Sequence, residues 1–406
     1  MAYLDPEFSP LPEGWSAKEL SDVVEIHNTK RQPLNGRERE GRKGSYPYCG
    51  ANGVVDYIDD YRFDGEYVLI AEDGGYWGKH QPSSYIMRSK FWVNNHAHVV
   101  CAIPTETTNT FFSNIVNYLN IDPFIGGDAR GKLTKAILTQ LAIPLPPLPE
   151  QKKIAHILST VQRAIEAQER IIQTTTELKK ALMHKLFTEG LRNEPQKQTE
   201  IGPVPEGWEM VEIGDLGKCV TGSTPKTKVA SFYDPPSEDF IAPADLGARR
   251  YVYDSEKKIS PEGMATIRPI PKDAVMCVCI GSSIGKVGMS YREESATNQQ
   301  INSIICKKGR DPEFVYYLLS YRWECWKSFA TFGPVPILSK GRFTSIKVAI
   351  PSSIEEQQVI AKPLVALETK VEVAEKKVAA LHDLFRTLLH ELMTAKIRVL
   401  DFDFTA

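Results

Sequence analysis

The sequence predicts an α+β protein in which two globular units of mixed helix and strand alternate with two long helices that pack as an antiparallel coiled coil. Three observations lead to this prediction: an internal repeat, a heptad seam within it, and short β-type runs between Gly, Pro and Asn breakers. With 406 residues, 42% hydrophobic and 25% charged, the chain can bury two cores and is not compositionally disordered.

The internal repeat sets the order of the elements. Residues 150–192 and 356–398 align without a gap, with 13 identities in 43 positions, where composition alone predicts about two or three. Earlier in each half, LPEGW at 11–15 recurs as VPEGW at 204–208. The predicted order is a first unit at 1–149, a helix at 150–192, a linker at 193–203, a second unit at 204–355, a helix at 356–398 and a tail at 399–406.

Short apolar runs predict the strands and helices of the two units. The first unit has β-type runs at 67–73, 84–89 and 91–103, and only 109–119 and 133–141 are typical of helices. The second unit is similar, with strands expected at 274–280 and 301–308 and a helix at 312–329. The polar, proline-containing linker predicts a domain boundary.

The second repeated block carries an uninterrupted heptad seam, and the first carries an equivalent seam that is more polar in its middle. Each helix of about 40 residues is about 60 Å long and exposes an apolar stripe, so the natural partner of each is the other. A two-fold relation between the copies makes them antiparallel, with the units at opposite ends. The residues predicted to pack in this seam are Leu158, Val161, Ile165, Ile172, Leu182, Leu186, Leu364, Leu367, Val371, Val378, Leu381, Phe385, Leu388 and Leu392.

Composition excludes several classes of protein. No apolar run approaches the roughly 20 residues of a membrane span, and the N-terminus lacks the features of a signal peptide, so we expect a cytoplasmic location without membrane contact. Seven scattered cysteines without a Cys-x-x-Cys pair favour buried thiols over a metal site. A net charge of −2 weighs against a uniformly basic nucleic-acid coat.

Several motifs occur in a fixed order along the chain. A proline-bounded turn followed by Glu-Gln opens each long helix, at 143–151 and 350–357, and each follows a unit that begins with Pro-Glu-Gly-Trp. YPYCGANGVVDYIDDYRFDGEYVLIAEDG at 46–74, TGSTPKT at 221–227, IGSSIGKVG at 280–288 and AKIRV at 395–399 complete the pattern. In this order the chain resembles the specificity subunit of type I restriction-modification enzymes over essentially its whole length.

That resemblance implies a division of labour. It implies two target-recognition domains that each read one half of a split, asymmetric double-stranded DNA site, with the helix pair as a ruler and as a dock for two methylation subunits. Restriction subunits are optional further partners, no cofactor is expected in this chain, and S-adenosylmethionine is expected in the methylation subunit. Glu166, Glu169, Glu372 and Glu375 repeat on the helices, and either form a partner surface or simply a solvated face.

Candidates for DNA contact are exposed basic, amide, hydroxyl and tyrosine side chains. Residues 30–44 hold six Lys or Arg against two Glu and predict a basic exposed loop, whose alternative role is only solubility. The candidates of the first unit are Lys30, Arg31, Arg37, Arg39, Arg42 and Lys43, with Tyr46, Tyr48, Asn52 and Lys79 near base edges. Those of the second unit are Ser223, Thr224, Lys226, Lys228, Arg249, Arg250, Lys286, Asn298, Gln299 and Gln300. Arg249 and Arg250 have a strand-end surface role as the alternative.

No complete catalytic motif is present. GSSIGK at 281–286 has three residues between its glycines and no Ser or Thr after the lysine, so it does not match a phosphate loop. YDPPSED at 233–239 lacks the final aromatic of an amino-methyltransferase motif. His184 and His390 match at the repeat offset, and packing or helix-dipole compensation explains them better than catalysis. Two hypotheses remain: a non-catalytic DNA-recognition subunit, or a two-headed coiled-coil scaffold for protein partners.

Overall fold

The computed structural model describes residues 4–125, 131–322, 326–331 and 333–400. The chain forms two compact units, the first made of Met1–Glu169 with Glu375–Ala406 and the second of Arg170–Ala374. Two long helices, α5 at Leu148–Glu189 and α9 at Ile354–Met393, each continue from one unit into the other. The predicted class of mixed helix and sheet with two long helices is confirmed.

The first unit is built from short strands and small helices. Its strands are β1 Ser16–Glu19, β2 Val24–Ile26, β3 Lys43–Gly50, β4 Gly53–Ile58, β5 Phe63–Asp64, β6 Tyr67–Ala71, β7 Ser84–Met87, β8 Lys90–Val93, β9 Ala97–Ala102 and β10 Ala142–Leu145. Its helices are α1 Leu20–Val23, α2 Gly36–Glu40, α3 Asn109–Tyr118 and α4 Lys135–Gln140. An antiparallel sheet has the order β2-β9-β6-β7, and a second sheet has the order β4-β3-β8-β5 with β3 and β8 parallel.

Helix α3 shows how local sequence builds the core of this unit. The Thr108 hydroxyl accepts a hydrogen bond from the Phe111 amide and caps the helix. The apolar residues Phe111, Phe112 and Ile115 are fully buried in the same cluster as Val68 of β6. Each such burial stabilises the fold by about 1.5–3 kcal/mol.

The second unit has its own strands and helices. Its strands are β11 Gln196–Thr199, β12 Gly202–Pro205, β13 Glu209–Glu212, β14 Gly217–Thr221, β15 Glu238–Ile241, β16 Tyr251–Val252, β17 Lys258–Ile259, β18 Ile270–Pro271, β19 Val275–Val278, β20 Val287–Ser290, β21 Glu294–Thr297, β22 Ile301–Cys306 and β23 Lys347–Ile350. Its short helices are α6 Pro261–Ala265, α7 Pro312–Tyr321 and α8 Lys340–Thr344.

The two units share one topology. The order β14-β22-β19-β20 in the second unit repeats β2-β9-β6-β7 of the first, with β16 added at its edge. The parallel pair β15 and β21 repeats β3 and β8, and the pair β13 and β23 repeats β1 and β10. The internal repeat therefore includes the globular units, whose sequences diverge much more than the helices do.

The same glutamine secures the start of each long helix. Gln151 Nε2 donates to the carbonyls of Glu106 and Pro146, both at 2.9 Å. Gln357 Nε2 donates to the carbonyl of Pro351 at 3.1 Å, and its Oε1 accepts from the Asp311 amide at 2.9 Å. Both glutamines are buried, and their hydrogen bonds satisfy backbone groups of the segments that lie next to each helix start. They therefore fix each helix to its own globular unit.

Both helices end earlier than the predicted residues 192 and 398. Gly190, with φ of 69°, follows α5, and Ala395, with φ of 56°, lies just after α9. A left-handed residue at this position ends a helix, and glycine adopts that conformation without steric cost. The chain beyond each helix therefore turns away from its axis.

Side chains of the predicted seam are buried or partly buried throughout. In the first unit, Ile154 and Leu158 of α5 share a core cluster with Leu392 and Met393 of α9. In the second unit, Leu186 of α5 shares a cluster with the opening turns of α9. The start of one helix therefore lies beside the end of the other, and the segments run antiparallel within each unit.

Three local predictions differ from the structure. The linker at 193–203 contains β11 and the start of β12, which pair as a hairpin, because an apolar valine at 204 packs into the core of the second unit. The basic segment at 30–44 is not only a loop, since Asn35 and Glu38 form a capping box that begins α2. The helix predicted at 312–329 ends at Tyr321; residues 323–325 lie outside the described part of the chain.

One further run was predicted as continuous. Residues 91–103 divide into β8 and β9, separated by a turn at Asn94, Asn95 and His96. The side-chain oxygen Oδ1 of Asn94 accepts a hydrogen bond from the His96 backbone amide at 2.8 Å, which stabilises this turn. Among the helices that the structure describes, none is long and apolar enough to cross a membrane.

Candidate functional site

The basic segment of the first unit is held against acidic partners from β4. Arg39 Nε donates to Asp56 Oδ2 at 3.1 Å, and Lys43 Nζ contacts Asp56 Oδ1 at 2.7 Å. The hydrogen bond from Lys43, followed by one from the Tyr57 amide, lowers the pKa of the Asp56 carboxyl to about 2. The two cations are therefore partly neutralised, although the Lys43 side chain is still 59% exposed.

Two arginines stack on a tryptophan next to this pair. The guanidinium carbons of Arg42 and Arg62 lie 4.9 and 4.7 Å from the ring centre of Trp92. Arg42 also pairs with Asp59 at 2.9 Å. Cation–π contacts of this kind fix the direction of a guanidinium. Arg62 was not among the predicted residues, and it places a second exposed cation at this edge.

Tyr48 is in the core rather than at the predicted surface position. Its ring is 1% exposed, and its hydroxyl accepts a hydrogen bond from the Leu34 amide at 2.8 Å. Tyr46 lies two residues before Tyr48 on β3, so both side chains are on the same face of the strand. Tyr46 is half-buried, and its ring packs against that of Tyr61. Lys30 and Arg37 are exposed and form no ion pair with the described acidic residues.

Arg31 supports the turn between β8 and β9 from below. Its NH1 donates to Glu72 Oε2 at 2.6 Å and to the Ala97 carbonyl at 2.8 Å, and its side chain is 15% exposed. Burial raises the pKa of the Glu72 carboxyl, but the hydrogen bond from Arg31 and the charge of His98 outweigh burial, and the net pKa is lowered. Arg31 is thus committed to an internal ion pair rather than placed free at the surface.

The turn itself presents polar side chains to solvent. His96 Nδ1 lies 2.5 Å from Asp73 Oδ1, and the His96 ring is 48% exposed. Asn95 is exposed beside it, and Asn52 Nδ2 donates to the Gly74 carbonyl at 2.9 Å from the neighbouring hairpin. Of these residues only Asn52 was predicted as a site residue.

Lys79 lies elsewhere in the first unit. Its Nζ is 2.7 Å from Glu7 Oε2 and sits over the Tyr118 ring, whose hydroxyl contacts His390 Nδ1 at 2.9 Å. In the second unit His184 Nδ1 contacts the Tyr321 hydroxyl at the same distance. The repeated histidines therefore each contact a tyrosine of the unit in which their helix ends, the second unit for α5 and the first for α9, which explains their match at the repeat offset.

In the second unit most predicted residues come together. The Thr224 hydroxyl donates to Gln299 Oε1 at 2.6 Å, and Asn298 Nδ2 donates to Gln300 Oε1 at 2.9 Å. The neighbouring Ser223 donates its amide to the Thr297 carbonyl at 2.9 Å. Of these residues, Asn298 and Gln300 border an open cleft whose other walls include Pro243, Gly281, Ser282 and Ser283. Exposed Lys286 reaches the same cleft through the Pro243 carbonyl at 3.5 Å.

The remaining candidates of this unit lie apart from the cleft. Lys226, Lys228 and Arg249 are exposed, with no hydrogen bond or ion pair from their side chains to the described residues. Arg250 is 12% exposed and pairs with Glu313 at 3.4 Å, beside the Tyr317 hydroxyl. The predicted surface position of Arg250 is therefore wrong, because its guanidinium is enclosed between β16 and α7.

The catalytic motifs excluded from the sequence have structural explanations. GSSIGK connects the antiparallel strands β19 and β20, and Gly281 and Gly285 adopt φ of 93° and 96° to make that connection. A phosphate loop instead precedes a helix. Cys277 and Cys279 are buried, and burial raises the pKa of the Cys279 thiol to about 12. Within the described chain no group of three or more His, Cys, Asp or Glu side chains is arranged to hold a metal.

Comparison with known proteins gives a consistent result. The model of the type I restriction modification DNA specificity domain matches residues 12–176 and 205–382. A Haemophilus influenzae protein provisionally named as a type I restriction enzyme specificity subunit is 28% identical, and the alignment covers 85% of each chain. The MjaX specificity subunit of Methanocaldococcus jannaschii, also provisionally named, is 27% identical over 97% of this chain and 96% of its own.

A solved structure supports the fold. The S subunit of a type I restriction-modification system from M. genitalium matches with a TM-score of 0.67 at 17% identity, covering 96% of this chain and 99% of that one. At this identity the likeness concerns the fold alone. It agrees with the two-fold repeat described above.

Proposed function

Because the chain belongs to the family of type I restriction-modification DNA specificity domains, whose model matches both units, we propose that it reads a split, asymmetric DNA site. Each unit reads one half-site as a target-recognition domain. The observation that carries this proposal is a shared topology with different polar side chains that are exposed or half-buried, Asn95 and His96 in one unit and Gln299 and Gln300 in the other. Two similar supports with unlike surfaces suit two unlike half-sites.

Specificity subunits of type I restriction enzymes are non-catalytic, and catalysis lies in partner subunits. In our proposal this chain supplies DNA sequence recognition, while adenine methylation, with S-adenosylmethionine as the methyl donor, belongs to two methylation subunits. Restriction subunits join the same assembly for cleavage. The chain itself binds neither the methyl donor nor a metal.

The long helices provide the proposed docking positions for the methylation subunits. Leu178 and Leu384 are identical at the repeat offset, yet their side chains are 55% and 46% exposed. Glu169 and Glu375 repeat in the same way and are also exposed. Exposed residues do not need to be kept for packing, so two equivalent positions suit two copies of one partner.

The proposal is tested by expressing the chain with the modification-subunit gene product and mapping methylated adenines across the host genome. We expect methylation at one bipartite motif. Substitutions in this chain, and not in the modification subunit, are expected to change which half-site sequences are methylated. A stable complex without motif-specific methylation would favour the two-headed scaffold for protein partners. DNA binding that does not weaken with salt would count against phosphate contact and point the same way.

A further inference from the structure

The two units share a hydrogen-bonded framework around one turn. The Glu72 amide donates to the His96 carbonyl at 2.8 Å, and in the second unit the Cys279 amide donates to the Gln300 carbonyl at 2.7 Å. A second hydrogen bond to these residues also repeats. The Leu133 amide donates to the Glu72 carbonyl and the Leu338 amide donates to the Cys279 carbonyl, each at 2.8 Å. The turn is therefore held by the same strand ends in both units.

The asparagine that makes the turn also repeats. The side-chain oxygen of Asn94 accepts from the His96 amide at 2.8 Å, and that of Asn298 accepts from the Gln300 amide at 3.0 Å. The backbone amides of these asparagines donate to the carbonyls of the last paired residues of β3 and β15, Cys49 at 3.1 Å and Ile241 at 3.2 Å. Asn298 was predicted to contact DNA, and these bonds give it a turn-forming role.

This correspondence pairs particular exposed residues. Asn95 and His96 of the first unit occupy the places of Gln299 and Gln300 of the second. The amide of Gln32 donates to the Val93 carbonyl at 3.2 Å, as that of Ser223 donates to Thr297 at 2.9 Å, so the adjacent segment follows the same path. Two predicted residues of the glutamine turn, Asn298 and Gln300, border the cleft of the second unit. The counterpart of this turn in the first unit holds none of the predicted residues.

Resting on the proposed function, we propose that Asn95 and His96 are the base-contacting residues of the first half-site. The amide of Asn95 supplies a donor and an acceptor, a combination that suits an adenine edge. Asp73 Oδ1 lies against His96 Nδ1, and in the neutral ring a proton on Nδ1 leaves Nε2 as an acceptor directed away from the carboxylate. An acceptor at that position suits the exocyclic amino group of adenine or cytosine. His96 Nε2 has no hydrogen-bond partner among the described residues.

Arg31 is a positioning residue in this arrangement. Its NH1 lies 3.5 Å from the Asn95 carbonyl, 2.8 Å from that of Ala97 and 2.6 Å from Glu72 Oε2. Lys132 Nζ lies 3.2 Å from the other oxygen of Glu72, and the Lys132 side chain is 49% exposed. The cations beneath and beside the turn offset the acidic residues there, and Lys132 remains accessible to a phosphate group. The exposed basic residues of the segment at 30–44 then position the duplex without reading it.

The test compares single variants of the full chain in its complex with methylation subunits. Asn95→Ala and His96→Ala are expected to reduce discrimination against substituted first half-sites by about tenfold or more, measured by competition between duplexes. Recognition of the second half-site stays unchanged, and amide exchange of β9 equal to wild type reports correct folding of the first unit. The matched variant Gln299→Ala is expected to relax only the second half-site. Arg37→Ala weakens binding to all duplexes equally, because it removes only a phosphate contact.

The outcomes separate the inference from the function on which it rests. Wild-type complex that methylates a bipartite motif, with unchanged first half-site preference in both turn variants, overturns the assignment and leaves the function intact. Amide exchange of β9 faster than wild type in both variants assigns the turn a structural role and also overturns the assignment. Wild-type complex with no sequence preference overturns the proposed function itself.

Discussion

Arg31 provides a direct test of the difference between a cation that supports the turn and one that contacts DNA. Arg31→Ala removes the guanidinium and with it the hydrogen bonds to Glu72 Oε2 at 2.6 Å and to the carbonyls of Ala97 at 2.8 Å and Asn28 at 3.2 Å. Hydrogen bonds to charged groups contribute about 1.5–3 kcal/mol each. Lys132 remains as a partner of Glu72, so the loss stays below the sum. We expect the first unit to be destabilised by about 2–4 kcal/mol.

The assay is amide hydrogen exchange of β9, because a chain of two units does not unfold in one step and needs a local measurement. A loss of this size accelerates exchange through unfolding by about 30-fold or more. Arg37→Ala is the matched control, since Arg37 is exposed and unpaired among the described acidic residues. It leaves exchange unchanged and lowers the salt slope of DNA binding by about one. Unchanged exchange in Arg31→Ala would refute the supporting role.

The same ion pair predicts a pH dependence. The pKa of Glu72 is lower in the folded chain than in the unfolded chain, so its contribution is present above the unfolded value of about 4.3 and is lost as pH falls through the folded value. The stability difference between the wild type and Arg31→Ala therefore narrows below about pH 4. A difference that widened on acidification would contradict the assigned cause.

Three further predictions concern the second unit, the helices and the complex. Asp239 is 1% exposed and forms ion pairs with Lys258 and Arg292. Asp239→Asn should therefore destabilise the second unit by about 2–4 kcal/mol, measured as faster amide exchange in β15; exchange equal to wild type would contradict this. Leu178→Glu and Leu384→Glu should each remove one methylation subunit from the complex, as measured by native mass spectrometry, without changing helix content; full occupancy in both would exclude these positions. The affinity of the complex for its site should fall by about 10³-fold or more between 50 and 200 mM salt if six or more phosphates are contacted; a flat response would refute phosphate contact.

The helices could be predicted well from the sequence because their packing is local and periodic. The heptad spacing places Leu158 and Leu392 on the seam, and both are buried. Their ends were predicted less well, since Gly190 and Ala395 terminate the helices through backbone conformation rather than through the repeat. The heptad spacing predicts which face of each helix is buried, but it does not predict the residue at which the helix ends.

The candidate site could be predicted only in part, because its charges are paired over long sequence separations. Arg39 meets Asp56 17 residues away, and Arg31 meets Glu72 41 residues away. A run of basic residues therefore looked free in the sequence while several of its members are committed to carboxylates. Lys30 and Arg37 escape this pairing because no described acidic side chain lies against them.

The turn at Asn94 escaped prediction for a different reason. Residues 91–97 and 295–301 occupy the same place in the two units, yet only Asn94 and Asn298 are identical within them. One shared residue in seven gives no alignment signal, whereas backbone hydrogen bonds need only the strand ends and tolerate any side chain. The equivalence is therefore a property of the backbone.

Residues that are identical in the two halves of the chain attach the long helices to the globular units, whereas the residues proposed to recognise DNA differ between the halves. Identical residues join each long helix to globular units at its two ends: Gln151 and Gln357 contact the unit where the helix begins, and His184 and His390 contact the unit where it ends. The exposed positions of the reading turn differ, as Asn95 and Gln299 do. Side chains that carry the fold are constrained by contacts on several sides, while an exposed reading residue is constrained only by the base that it meets. A substitution at an exposed position of the turn therefore changes the DNA sequence that is read without disturbing the support beneath it.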